Sequence, residues 1–264
     1  MSPAALAAWA LLLAPGPEQL TLPGFRIHVQ VHEDMDADRL GALARPGVVL
    51  WLLTSSNLLR RSAAERLGHG DAAHVQVRPP WTSGARAQFT GRVHPWVSEE
   101  ELDVALYRRW APAGTVVELA GALTEEKLAR VLGLHPLAVR WRPDGVPAPE
   151  EWARAARLPG LEVHPTVVLP PCERRLKRAE RIRLRVPAAD AETSAAGCGF
   201  ALRLEVRPSL SAPELQSLLI AHPGAELWVE AKDDADAAGV QALVGVLAGS
   251  VPPTPAKSAS PVKR

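Results

Sequence analysis

In 264 residues the chain has only two cysteines, one tyrosine and three phenylalanines, and no excess of either charge. Each scarcity removes a class of protein. Two cysteines cannot build the cystine framework of a small secreted scaffold. Neither stands in a CxxC or Cys/His cluster of the kind that holds zinc. A formal net charge of +1 leaves no basic stripe for a polyanion, so nucleic acid is not an expected partner. No apolar run is long enough to cross a bilayer, so no integral span is expected beyond an N-terminal signal. The GxSxG nucleophile elbow, the Walker loop, the dinucleotide fingerprint and the HxH and HExxH metal motifs are all missing. No cofactor and no metal are therefore expected.

What the chain does have is length, apolar mass and tryptophan. At 264 residues it has the size of one α/β barrel, which typically runs to about 250. The first residues, Met1 to Ala14, are apolar and resemble the h-region of a secretory signal. No Lys or Arg precedes them, and Pro15 would sit badly just after a cut at Ala14; a buried or amphipathic helix is the alternative. The organisation expected is a candidate signal or anchor segment over 1–16, one domain over 20–250 and a disordered tail over 251–264. Cys172 follows one predicted strand and Cys198 precedes the next, so a disulfide between them would tie off the Arg-, Ala- and Glu-rich stretch they enclose. Such a bond persists in an oxidising compartment. Together these favour a periplasmic or otherwise exported protein; two free thiols and a cytoplasmic protein are the alternative.

Three stretches look alike, starting at Phe25, Ala113 and Phe200 and closing on Trp51, Trp141 and Trp228. Within them Val31, Leu119 and Val206 correspond, as do Leu40, Leu128 and Leu215, and Pro46, Pro136 and Pro223. A repeat of roughly 88 residues sets the architecture before any local reading does. Each copy reads strand, helix, strand, with Asp36, Thr124 or Ser211 placed to cap the helix. Ser211 and Glu214 have capping-box spacing. Further helices are predicted over Leu58 to Leu67, Ser98 to Trp110, Pro149 to Leu158 and Asp234 to Leu247. Strands are expected near 25–31, 48–54, 74–78, 114–119, 137–142, 161–168, 200–206 and 225–231. Eight strands alternating with helices predict a (β/α)8 TIM-type barrel. An open doubly wound sheet is second choice, for want of a glycine-rich phosphate loop. Ala87 to Val93 and Arg181 to Val186 also look extended, and are read as loop excursions.

Several strands alternate. Ile27, Val29 and Val31 are apolar, whereas His28, Gln30 and His32 are polar. Val75 and Val77 oppose His74, Gln76 and Arg78; Leu202, Leu204 and Val206 oppose Arg203, Glu205 and Arg207. In a barrel the apolar set faces the covering helices and the polar set faces the lumen. That predicts an interior of His, Gln, Arg and Glu, held by internal ion pairs or serving a function. An ordinary half-exposed sheet gives the same alternation. The tryptophans break the rule, since Trp141 falls with Val139 but Trp228 falls with Glu226 and Glu230.

Barrel sites lie at the C-terminal ends of the strands. Glu118, on the predicted fourth strand, and Glu205, on the seventh, occupy equivalent places in two repeats. This placement resembles that of the retaining glycosidase barrels, which draw their acid and nucleophile from those two strands. The resemblance implies catalysis by Glu118 and Glu205 on a glycan, although no Asn precedes Glu118. The other reading of the pair is structural, each glutamate binding an interior arginine. Substrate-binding candidates are His32, Arg78, Trp81, Arg142, Asp144, Arg207 and Lys232, where arginines suit an anionic group and tryptophan a sugar ring. His28 and His32 are about 13 Å apart on one strand face, too far to share a metal. Two function classes follow. One is a cell-envelope glycosidase-like barrel that binds or hydrolyses a glycan. The other is a non-catalytic barrel used for interaction or as a scaffold.

Overall fold

A computed structural model describes residues 27–32, 43, 47–55, 72–81, 83, 93–99, 114–134 and 136–249. The segment over 1–16, the tail over 251–264, the cap Asp36 and the helix at 58–67 lie outside them. So does the helix over 98–110, except for Ser98, which ends a strand, and Glu99.

Ten strands are present among the described residues: β1 (Ile27–His32), β2 (Val48–Ser55), β3 (Ala72–Arg78), β4 (Val93–Ser98), β5 (Thr115–Ala120), β6 (Pro136–Arg142), β7 (Leu161–Val163), β8 (Arg183–Pro187), β9 (Ala201–Glu205) and β10 (Glu226–Ala231). Each pairs in parallel with the next, and β10 pairs with β1, so the sheet closes into an α/β barrel-like fold. Four α-helices have their bounds among the described residues: α1 (Glu125–Gly133), α2 (Pro149–Ala155), α3 (Ala212–Ala221) and α4 (Asp234–Gly249). Thr124 caps α1 by accepting from the Lys127 amide at 3.1 Å. At α3 the Ser211 hydroxyl accepts from the Glu214 amide while the Glu214 carboxylate accepts from the Ser211 amide, the reciprocal box the spacing predicts.

The barrel thus has ten strands rather than eight. One of the extra strands, β8, is the segment Arg181 to Val186 read as an excursion; the other, β4, meets the segment Ala87 to Val93 only at Val93, and the rest of that segment lies outside the described residues. Both were hard to see for a physical reason. β4 carries Pro95, which interrupts its pattern, and β8 follows the three-residue β7 with no α-helix between them. No α-helix covers either flank of β8. Instead the connection before it and the connection after it bond to each other, Cys172 N donating to Ala196 O at 2.9 Å and Leu176 N to Cys198 O at 3.0 Å. The Cys172–Cys198 disulfide joins those two connections. It brackets a barrel strand instead of tying off an insertion.

The alternation sorts side chains as the pattern predicts. Ile27, Val29, Val31, Val75, Val77, Leu204 and Val206 join one continuous core with Leu128, Leu215 and Val240 from the helices. A second, smaller cluster of Val49, Trp51, Val116 and Trp228 forms from the opposite strand faces, inside the barrel. Barrel diameter grows with strand number. Ten strands leave a wide interior, which tryptophans and arginines fill where branched aliphatics suffice in eight.

The tryptophan conflict has a local cause. The β5–β6 register slips between Thr115/Val116, which pair with Pro136 and Ala138, so Leu137 is extra. A one-residue slip turns side chains to the other face. Trp141 therefore points outward, donates its indole N–H to Gly121 O at 2.8 Å and meets Trp152 of α2 edge-on. Trp51 and Trp228 point inward. The three stretches fall on β1–β2, β5–β6 and β9–β10, but their closing tryptophans are not structurally equivalent.

Candidate functional site

The lumen is built from alternate residues of neighbouring strands. Parallel register sets Arg140 of β6 beside Glu162 of β7, and Arg203 of β9 beside Glu226 of β10. Glu162, buried, accepts from Arg203 Nη1; Arg185 Nη1 approaches it at 3.5 Å and His164 Nε2 at 2.5 Å. Glu226 receives Arg203 Nη2 at 2.5 Å and Arg183 Nε at 3.1 Å. Charges inside a barrel are tolerated because each of these carboxylates answers more than one cation.

Tautomers follow from the donors. The Trp51 indole donates to His28 Nδ1 at 3.1 Å, so Nδ1 is the bare nitrogen and Nε2 carries the hydrogen. His28 Nε2 and Arg203 Nη2 then converge as donors on Glu226 Oε2, at 3.3 and 2.5 Å. Burial holds the His28 pKa down, at about 4, against the opposing pull of Glu226. His94 is lowered by burial too; its Nδ1 donates to Gly114 O at 3.1 Å, and its Nε2 accepts from His74 Nδ1 at 3.2 Å. Burial, then Arg185 and Arg140, keep His164 well below the ordinary histidine value. Burial works against the Glu226 carboxylate, but the His28 hydrogen bond and Arg203 outweigh it, so its pKa is lowered. His28, His94 and His164 are therefore neutral, and Glu226 is charged, at pH 7.

The C-terminal ends of the strands form the mouth, and the two glutamates there part company. Glu118 is fifth-strand and Glu205 ninth-strand, not fourth and seventh. Glu118 binds Arg142 Nη2 at 2.9 Å, and Glu205 Oε1 lies 2.6 Å from Arg185 Nε. They line different clefts. Glu118 faces one of about 740 Å³ with Ser98, Glu99, Arg130 and Arg142. Glu205 faces one of about 410 Å³ with Arg185, Arg207, Glu230, Lys232 and Asp236, floored by Trp228. Glu205 is 40% exposed and Glu118 21%, so neither is sealed off.

The remaining candidates scatter. Arg207 and Lys232 share the Glu205 cleft. Arg142 and Glu118 share the other. Asp144, exposed in the loop after β6, lies against Gly121. Arg78 is exposed at the end of β3, and His32 ends β1. Trp81 donates its indole N–H to Val77 O at 2.9 Å and packs on the outer core rather than facing the lumen. Sequence reasoning missed Arg140, Glu162, Arg183, Arg185 and Glu226. The signal for Arg183 and Arg185 was present, since they alternate with Ile182, Leu184 and Val186, but it lay in the segment read as an excursion.

Among the described residues, no three His, Cys, Asp or Glu side chains are placed to hold a metal ion. No described helix is long and apolar enough to cross a membrane. Comparison with family models and with curated proteins finds no match.

Proposed function

We propose that this barrel binds a ligand at its C-terminal mouth and does not hydrolyse one through Glu118 and Glu205. The observation that carries the reading is the separation of the two glutamates into different clefts, each held by its own arginine. A glycosidase pair must flank one bond, with carboxyl groups about 5 to 9.5 Å apart. The ligand class is carbohydrate. A sugar hydroxyl both donates and accepts, and the β8–β10 cleft offers donors (Arg207, Lys232) beside acceptors (Glu230, Asp236). Mixed charge there disfavours a polyanion. The setting is exported and oxidising, periplasmic in a cell with two membranes. The Cys172–Cys198 bond and the apolar N-terminal run support this.

The test is calorimetric titration of the full chain with neutral and acidic oligosaccharides, with reducing-end release followed in the same samples. Binding without release is expected. Arg207→Ala should weaken it about tenfold, the loss of one hydrogen bond from a charged group. Release of reducing ends that disappears in Glu118→Gln or Glu205→Gln would overturn the proposal.

A further inference from the structure

Among the described residues, one buried arginine of the lumen has no carboxylate of its own. Arg140 is 7% exposed, yet among the described residues it forms no ion pair and no hydrogen bond. Its neighbour across the sheet, Glu118, has turned to Arg142. Its guanidinium lies instead over two aromatic faces, 5.7 Å from the Trp51 centroid and 5.3 Å from that of Trp228. Cation–π attraction offsets only part of the cost of removing a charge from water. Other buried arginines of the lumen, Arg185 and Arg203, each have a carboxylate.

Arg140 faces a cavity of about 320 Å³, distinct from the mouth clefts, lined also by His28, Trp51, Arg183, Arg203 and Glu226. It shares Gly160, Arg183 and Glu226 with a groove at the opposite end of the barrel from the mouth. Among the described residues, Glu162 and Glu226 are the carboxylates on its wall, against three arginines, and His28 adds no negative charge. Trp228, also on the wall, has a buried indole N–H with no partner. A buried group left without its hydrogen bond calls for an explanation. Here an unmatched cation and an unmatched donor stand at one cavity, and both ask for an acceptor that carries negative charge.

We propose that this cavity is a binding site for a small oxyanion, a carboxylate or a phosphate, anchored by the Arg140 fork between Trp51 and Trp228. The guanidinium suits either group through paired N–H donors. The size excludes a polymer, since ligand pockets run from roughly 300 to 1,000 Å³ and this one is at the small end. The site meets the Glu205 cleft only at Trp228, and its anchor, Arg140, does not line that cleft.

The experiment uses the full chain at pH 7.5 and constant ionic strength. Sodium phosphate and sodium acetate are titrated separately against a sodium chloride control. Thermal midpoint and tryptophan fluorescence are both read, and the two arms distinguish phosphate from carboxylate. One of the anions should raise the midpoint of the wild type and of Arg174→Gln, which removes an exposed arginine far from the lumen. Arg140→Gln should abolish the response, and Arg140→Lys should weaken affinity about tenfold because the fork is gone. Without anion, Arg140→Gln should be at least as stable as the wild type, because removing the buried charge offsets the two cation–π contacts that are lost. Three results would each overturn the proposal: no response to either anion, a response that survives Arg140→Gln and Arg140→Lys, or one abolished by Arg207→Ala at the mouth. If Arg140→Gln does not fold, the Arg140→Lys affinity decides.

Discussion

Replacing Glu162 by glutamine should be among the most damaging single changes in this chain. The side chain is 4% exposed and accepts from Arg203, with Arg185 Nη1 at 3.5 Å and His164 Nε2 at 2.5 Å. Glutamine keeps the volume but removes the charge and gives the site an N–H₂ that points at other donors. Removing one partner of a buried ion pair costs about 3–5 kcal/mol. Arg203 retains Glu226 and Arg185 retains Glu205, which holds the expected loss near the lower end, about 3 kcal/mol. Urea unfolding reads it as a lower midpoint at unchanged slope. Pairing Glu162→Gln with Arg203→Leu should cost less than the sum of the two single changes, because one orphaned charge then disappears. A loss under about 1 kcal/mol, in the range of surface pairs, would mean that water screens the network, and the account of buried, mutually paired charges around Glu162 would fail.

Two further outcomes are expected. Acid should weaken the fold early: His28, His94 and His164 all have folded pKa values below the ordinary 6.5. The unfolded chain takes up their protons first, so stability is full above pH 6.5 and falls as pH drops toward the folded values. For His28 alone, at about 4, the loss reaches about 3 kcal/mol. Glu226, lowered in the fold, adds a loss below about pH 4.5. Urea midpoints at pH 7.5 and pH 5 check this, and equal midpoints contradict it. Changing Cys172 and Cys198 to serine opens a link across 26 residues, which chain entropy puts at about 3.5 kcal/mol. Denaturation with and without reductant should show a loss of that order, and no difference would mean that the two connections hold β8 unaided.

The fold was legible where one strand face is buried against helices. In β1, β3 and β9 a strict alternation announced both the strand and the inward polar set, because period two admits only one sorting of those side chains. Capping at Ser211 was legible for the same local reason. β4 and β8 were not, since Pro95 breaks one pattern and no α-helix adjoins the other. The site suffered from this. A count of eight strands puts Glu118 and Glu205 on the fourth and seventh, the glycosidase layout, whereas they stand on the fifth and ninth. Pairing across strands is a matter of register, and register is not written in any single strand. That Arg140 neighbours Glu162 without binding it, and that Leu137 turns Trp141 outward, follows only once the strands are laid side by side.

The place of β8 decides the rest, because it carries Arg183 and Arg185 into the lumen and forms one wall of the mouth cleft. Amide hydrogen exchange followed by peptide mass spectrometry measures it directly. As a barrel strand bonded on both sides to β7 and β9, Arg183–Pro187 should exchange as slowly as β9 and far more slowly than the connection over 188–200. Exchange as fast as that connection would show that the segment is a surface excursion, and the ten-stranded lumen with its arginine network would have to be given up.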